Sequence, residues 1–186
     1  MKVYFTASLS AKSEYLHFYK DIVTYLSSKG CEVQANQILN ATEQMVAEMP
    51  KEKRLHFHEQ VISWIHDCDF MVAELSHPST SVGYEISLAL RSGKAVLILY
   101  SKGDPPSLFA VHKDEKIVIE NYNKENLNKK IDNFIDFVTL HHDLRFTFFI
   151  TPRIARYLDD ISKSLKTPKS VYLRRLIEED MAKQSV

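Results

Sequence analysis

The residue best placed for chemistry is Glu85. It falls about one turn into a helix that follows a buried strand, directly behind three hydroxyls, Ser79, Thr80 and Ser81. A carboxylate at such a place can attack an electrophilic carbon, for example the anomeric carbon of a sugar, and carry a covalent glycosyl ester. The hydroxyls and the helix N-terminus offer donors suited to an anionic group. A first-turn carboxylate can also do no more than stabilise a helix dipole, and the residue types alone leave both roles open. Elsewhere the candidates are weaker. His56 and His58 are two apart and His141 and His142 adjacent, so neither pair has the i, i+4 spacing of a helical metal site. Asp69 opens a buried strand and reads as a structural hydrogen-bond acceptor. No Gly-rich phosphate loop, Ser-His-Asp order or Cys-His pairing stands out, and neither a metal nor another cofactor is expected.

The elements that must position Glu85 follow from the apolar pattern. Val3 to Thr6 is a short apolar strand run. Ala7 to Ser10 turns it into a helix whose Tyr15, Phe18, Tyr19, Ile22, Val23 and Leu26 recur at helical spacing until Gly30 stops it. Cys31 to Gln34 can form a second strand. Asn40 to about Asp67 reads as helix, interrupted near Pro50. Phe70 to Leu75 is a near-continuous apolar run, as in a strand covered on both faces. A helix then runs from near Val82 to Arg91, followed by strands at Ala95 to Tyr100 and Lys116 to Glu120. A last amphipathic helix spans Asn123 to about Leu140. Strands alternating with helices predict an α/β, flavodoxin-like or Rossmann-like parallel sheet with helices on both faces. In such a sheet the ligand belongs at the carboxyl ends of the strands.

The segment Val72-Ala73-Glu74 through Pro78-Ser79 to Val82-Gly83-Tyr84-Glu85, with Val3-Tyr4-Phe5, His58-Glu59-Gln60 and Trp64, resembles the nucleoside 2-deoxyribosyltransferase superfamily. Within it the likeness is greatest to the 2-deoxynucleoside 5-monophosphate N-glycosidases, over roughly residues 2–140. The resemblance implies Glu85 as nucleophile, Tyr4 and Ser8 near the sugar, and Ser79 near a 5-phosphate, with Ser81 and Gly83 completing the binding loop. It implies a nucleoside or nucleoside monophosphate as partner. Three departures stand out. The family places an aspartate directly after the His-Glu-Gln stretch, where it positions the sugar and handles the leaving base, and here that residue is Val61. Glu59, two residues away and so about 200° around the helix, is no simple substitute. Two loop glycines are Ala7 and Ser81, and an expected arginine is Ser10. Losing a proton-handling group commonly costs about 100- to 10,000-fold in rate, so either an impaired enzyme or a binding site without chemistry fits.

Beyond Arg145 the pattern changes. Phe146, Phe148 and Ile150 alternate with Arg145, Thr147 and Phe149 at strand period. Thr151-Pro152 then caps a helix bearing Ile154, Leu158, Ile161 and Leu165. A turn at Lys166 to Lys169 leads to a second helix, capped by Ser170. One short strand and two short helices cannot bury an adequate core alone. Residues 145–183 resemble the ribbon-helix-helix DNA-binding family, which implies strand pairing between two chains and a ribbon in the major groove. On that resemblance Arg145 and Thr147 face base edges, and the helix start at Lys169 and Ser170 holds a phosphate. The expected organisation is a ligand domain over residues 1–140 and a dimerisation or DNA-binding module over residues 143–186. The chain is then a homodimer or higher homo-oligomer, with DNA as a candidate partner. Two functions follow: an N-glycosidic-bond hydrolase or deoxyribosyltransferase, or a nucleotide-sensing regulator with an inactive ligand domain. A tail that serves only for oligomerisation is the plainer third.

Composition bounds these readings. Apolar residues make up 45% of the 186, enough for a real core, and no run of 18 apolar residues suggests a membrane span. The N-terminus lacks the pattern of a signal peptide, and Cys31 and Cys68 read as two reduced thiols, so a cytoplasmic location is expected. Net charge is zero, but residues 143–186 carry nine Lys/Arg against six Asp/Glu, a small basic excess that permits phosphate contacts without demanding them.

Overall fold

A computed structural model describes residues 1–103, 109, 114–140, 150–165 and 169–184. The chain divides into two compact units, Met1–Leu144 and Arg145–Val186.

The first unit is built on five parallel strands: β1 (Lys2–Ala7), β2 (Glu32–Gln34), β3 (Phe70–Glu74), β4 (Ala95–Tyr100) and β5 (Ile117–Asn121), in the order β2-β1-β3-β4-β5. Register is carried by pairs such as Tyr4–Met71, Met71–Val96 and Val96–Ile117. The period of two sends alternate side chains to opposite faces. Val3, Phe5, Phe70, Val72, Leu97 and Leu99 pack under α1 (Lys12–Ser28) and the last helix of the unit, Leu127–Leu140. Tyr4, Met71, Ala73, Val96 and Ile98 pack under α4 (Lys51–Asp67) and α5 (Thr80–Arg91). All five residues of β3 are buried, as its unbroken apolar run predicts. Asp69 accepts the Lys2 backbone amide at 2.8 Å, the structural role expected of it.

The connection after β2 corrects one expectation. Asn40 does not start a long helix. It ends the short α2 (Asn36–Leu39), and α3 (Glu43–Ala47) begins afresh after Thr42, whose hydroxyl accepts the Met45 amide at 3.2 Å. The Lys12 ammonium donates to the carbonyls of Leu39 and Ala41 at 2.7 and 2.5 Å, holding the break in place. Further on, α5 starts at Thr80, two residues before the position read from the sequence, because Ser79 is its N-cap. The stop at Gly30 is a left-handed residue, φ 77°, which glycine adopts without strain. Cys31 and Cys68 are buried free thiols, and burial pushes Cys68 up to about 11.

The second unit contains helices Pro152–Leu165 and Lys169–Gln184. The expected strand over residues 145–150 lies outside the described residues except for Ile150, which is exposed and belongs to no element. The two helices meet through buried Leu158 and Tyr172, a 3.0 Å Tyr157–Tyr172 hydroxyl pair and a Lys169–Asp159 ion pair. Ile154, Tyr157, Leu176, Ile177 and Met181 remain exposed on them.

Candidate active site

Tyr4 and Glu85 come together. Tyr4 lies in the middle of β1, fully buried, and its hydroxyl donates to Glu85 Oε2 at 3.1 Å from a residue 81 positions away. Helical spacing sends Val82, Ile86 and Ala89 of α5 into the core, and Glu85 follows the same inward face. Glu85 is half-buried. Burial holds its carboxyl above the usual carboxylate range, while the hydroxyls of Thr6 and Tyr4 act the other way. No charged group among the described residues takes part in that balance. The Thr6 hydroxyl is buried and makes no hydrogen bond of ordinary geometry, so it sits beside the carboxylate with donor capacity to spare. Tyr4 is itself pushed far up, first by burial and then by the Glu85 charge, so it stays a neutral donor.

Of the other expected residues, Ser8 and Ser79 lie in the segments that follow β1 and β3, and Ser81 and Gly83 in the first turns of α5. Ser8, buried just past β1, pairs its hydroxyl with that of Ser10 at 2.9 Å, and its carbonyl accepts the Tyr19 hydroxyl. Ser79 caps α5, its hydroxyl accepting the Val82 amide at 3.4 Å, and Ser81 is exposed in the first turn. A Cβ added at Gly83 would meet nothing within 4 Å, so glycine leaves open space there. None of these is hydrogen-bonded to Glu85 among the described residues. Val61 is buried in the apolar cluster that contains Tyr4, Ile65, Val82 and Ile86, with Phe57 and Trp64 half-buried against it. Two open depressions of about 410 and 460 Å³ among the described residues lie elsewhere, one around Phe18, Ser101 and Tyr122, the other around Met49 and the α4 residues His56 and Phe57. Among the described residues no cluster of His, Cys, Asp and Glu could hold a metal, and no helix is long and apolar enough to cross a membrane.

Of the residues assigned to DNA, Arg145 and Thr147 lie outside the described residues. Lys169 is exposed at the first position of its helix but paired with Asp159 at 2.5 Å, and the Ser170 side chain also lies outside the described residues.

Sequence reasoning missed a second carboxylate. Glu74, the last residue of β3, is fully buried on the face opposite Glu85. Its Oε1 accepts the Ser76 amide at 3.2 Å, the Ser76 hydroxyl, and the Tyr122 hydroxyl at 3.1 Å, and Oε2 has no partner among the described residues. The Ser76 hydroxyl in turn receives the Ser101 amide at 2.8 Å. Glu74 thereby ties together the carboxyl ends of β3, β4 and β5. Burial raises its pKa, partly offset by the Ser76 and Tyr122 hydroxyls. The available signal is a single acidic residue inside the otherwise apolar run Phe70–Leu75, which physical chemistry permits only with partners.

With this geometry in view, comparison with known proteins is specific. Residues 3–133 match the family described as nucleoside 2-deoxyribosyltransferase. A Nematostella vectensis protein that carries the name of a 2′-deoxynucleoside 5′-phosphate N-hydrolase is 32% identical over 139 residues, 72% of this chain and 92% of its own length. A Rattus norvegicus 5-hydroxymethyl-dUMP N-hydrolase is 33% identical over 98 residues, 53% of this chain and 60% of that one. The fold is shared with a Clostridium botulinum CMP N-glycosidase at a TM-score of 0.53 and 23% identity, covering 72% of this chain and 99% of the other. The chain therefore belongs to the nucleoside 2-deoxyribosyltransferase family of enzymes.

Proposed function

We propose that this chain cleaves the N-glycosidic bond of a nucleoside 5′-monophosphate, releasing the base to water or passing the sugar to a second acceptor. The observation that carries the reading is the Tyr4–Glu85 pair: a half-buried carboxylate in the second turn of α5, held by a neutral donor from the middle of β1. Glu85 attacks the anomeric carbon, the base departs, and the glycosyl ester is resolved by water or acceptor. Tyr4 orients the attacking oxygen. The N-terminus of α5, with Ser79 and Ser81, takes the 5′-phosphate, and Ser8 lies toward the sugar. The names of the relatives support a monophosphate substrate. The test is a panel of ribo- and deoxyribonucleoside monophosphates assayed for free base by chromatography. Base release that survives in Glu85→Ala contradicts the proposal.

The exposed apolar residues of the second unit favour an added role. Ile154, Tyr157, Leu176, Ile177 and Met181 give its two helices a surface fit for pairing with a second copy, as the ribbon-helix-helix resemblance implies. In that reading the first unit responds to a nucleotide and the tail binds DNA. Size-exclusion chromatography should show a dimer that Ile154→Asp with Ile177→Asp disperses, and a gel shift with genomic fragments should weaken in Arg145→Ala. A monomer at micromolar concentration contradicts the pairing.

A further inference from the structure

We propose that the preferred substrates are N-glycosides whose base carries a fixed positive charge, an N-alkylpyridinium or an N7-alkylated purine, on the sugar phosphate. The inference deepens the reading above and rests on Glu85 as nucleophile.

Two observations point the same way. The first concerns the leaving group. A neutral purine or pyrimidine departs with the electron pair of the C–N bond and becomes an anion unless an acid protonates it. The residue that the family pattern makes an aspartate is Val61, buried in an apolar cluster with Tyr4, Ile65 and Val82. The groups that face Glu85 among the described residues, Tyr4 and Thr6, are neutral hydroxyls. A cationic base has no such need. As the C1′–N bond breaks, its electron pair cancels the positive charge on nitrogen and the base leaves neutral. Glu85 forms the new C1′–O bond. Water then attacks C1′, returns the carboxylate, and leaves the sugar hydroxyl and one proton. No acid, oxidant or metal enters the balance.

The second observation concerns charge. Glu85 is a half-buried carboxylate whose partners are neutral hydroxyls, and an ionised group so placed costs free energy until an opposite charge approaches. A cationic ring supplies that charge, and supplies it only while the base is still attached. Departure of the neutral base then removes the attraction, which favours product release.

Matched pairs test this on the full chain. The probes are 7-methyl-GMP against GMP, the corresponding deoxynucleotides, and nicotinamide mononucleotide against CMP. The readout is base release that depends on Glu85, corrected for spontaneous hydrolysis. The expected result is a kcat/KM at least about 100-fold higher for each cationic member, the order set by a missing proton donor. In Val61→Asp, with folding checked by thermal melting, release from GMP and CMP should rise and the gap narrow. Release within about tenfold for the two members of each pair overturns the inference but leaves the glycosidase reading standing, since an acid must then come from elsewhere. No Glu85-dependent release from any probe, in either protein, ends both.

Discussion

Two glutamates eleven residues apart, Glu74 and Glu85, end up on opposite faces of one sheet and are treated in opposite ways. Burial raises both carboxyls above the usual range. Glu74 is fully buried and takes three donors on one oxygen, from segments that follow β3 and β5. Glu85 is half-buried and takes one hydrogen bond of ordinary geometry, from Tyr4, with the Thr6 hydroxyl beside it. A carboxylate tied through one oxygen to several chain segments holds a scaffold, even with its second oxygen unpartnered among the described residues. One held by a single neutral donor retains lone pairs for a substrate. The difference lies in what surrounds each group, because the residue type is the same.

The comparison can be broken by exchanging consequences. Glu85→Ala should lower base release on the order of 10⁴-fold, as expected for loss of a nucleophile acting within a unit, while thermal stability at pH 7 stays level or rises. Glu74→Ala should act on the fold first. It removes the acceptor of the buried Tyr122 hydroxyl, at about 1–3 kcal/mol if that group is left unpaired, while the half-buried Ser76 hydroxyl keeps Ser101. The melting midpoint should then fall by about 2–4 °C per kcal/mol in a chain of this length. If the two variants behave alike in both assays, the division of labour is wrong.

A smaller effect sharpens the picture of Glu85. It must be ionised to attack, and burial holds its pKa above the ordinary 4.5, so kcat/KM should rise with pH through a limb displaced upward from that value. The Tyr4 hydrogen bond favours the ionised form. Tyr4→Phe should therefore move the limb further up and cost about 10- to 100-fold in rate below it, the order of one hydrogen bond to a charged group. A limb at 4.5 in both proteins would show that Glu85 is not the group being titrated.

Much of this was legible in the sequence, for reasons that differ by element. The runs at Phe70–Leu75 and Ala95–Tyr100 announce strands covered on both faces, and the spacing of Tyr15, Tyr19, Ile22 and Leu26 announces α1. Tertiary forces are less visible. The break after Asn40 depends on Lys12 reaching two carbonyls nearly thirty residues away, and local pattern carries no trace of that reach. Residue types and family likeness both single out Glu85 as a candidate. Its hydrogen bond to Tyr4 was not foreseen, since it spans two elements. Glu74 lies within the same motif, and its partners come from segments that local pattern does not connect, although an acid in an apolar strand must be either paired or functional.

The most direct measurement is mass spectrometry of the full chain quenched during turnover, followed by proteolysis. The account expects a sugar-phosphate adduct on the peptide containing Glu85, absent in Glu85→Ala. Steady base release with no adduct there, or with an adduct on Glu74 instead, would contradict it.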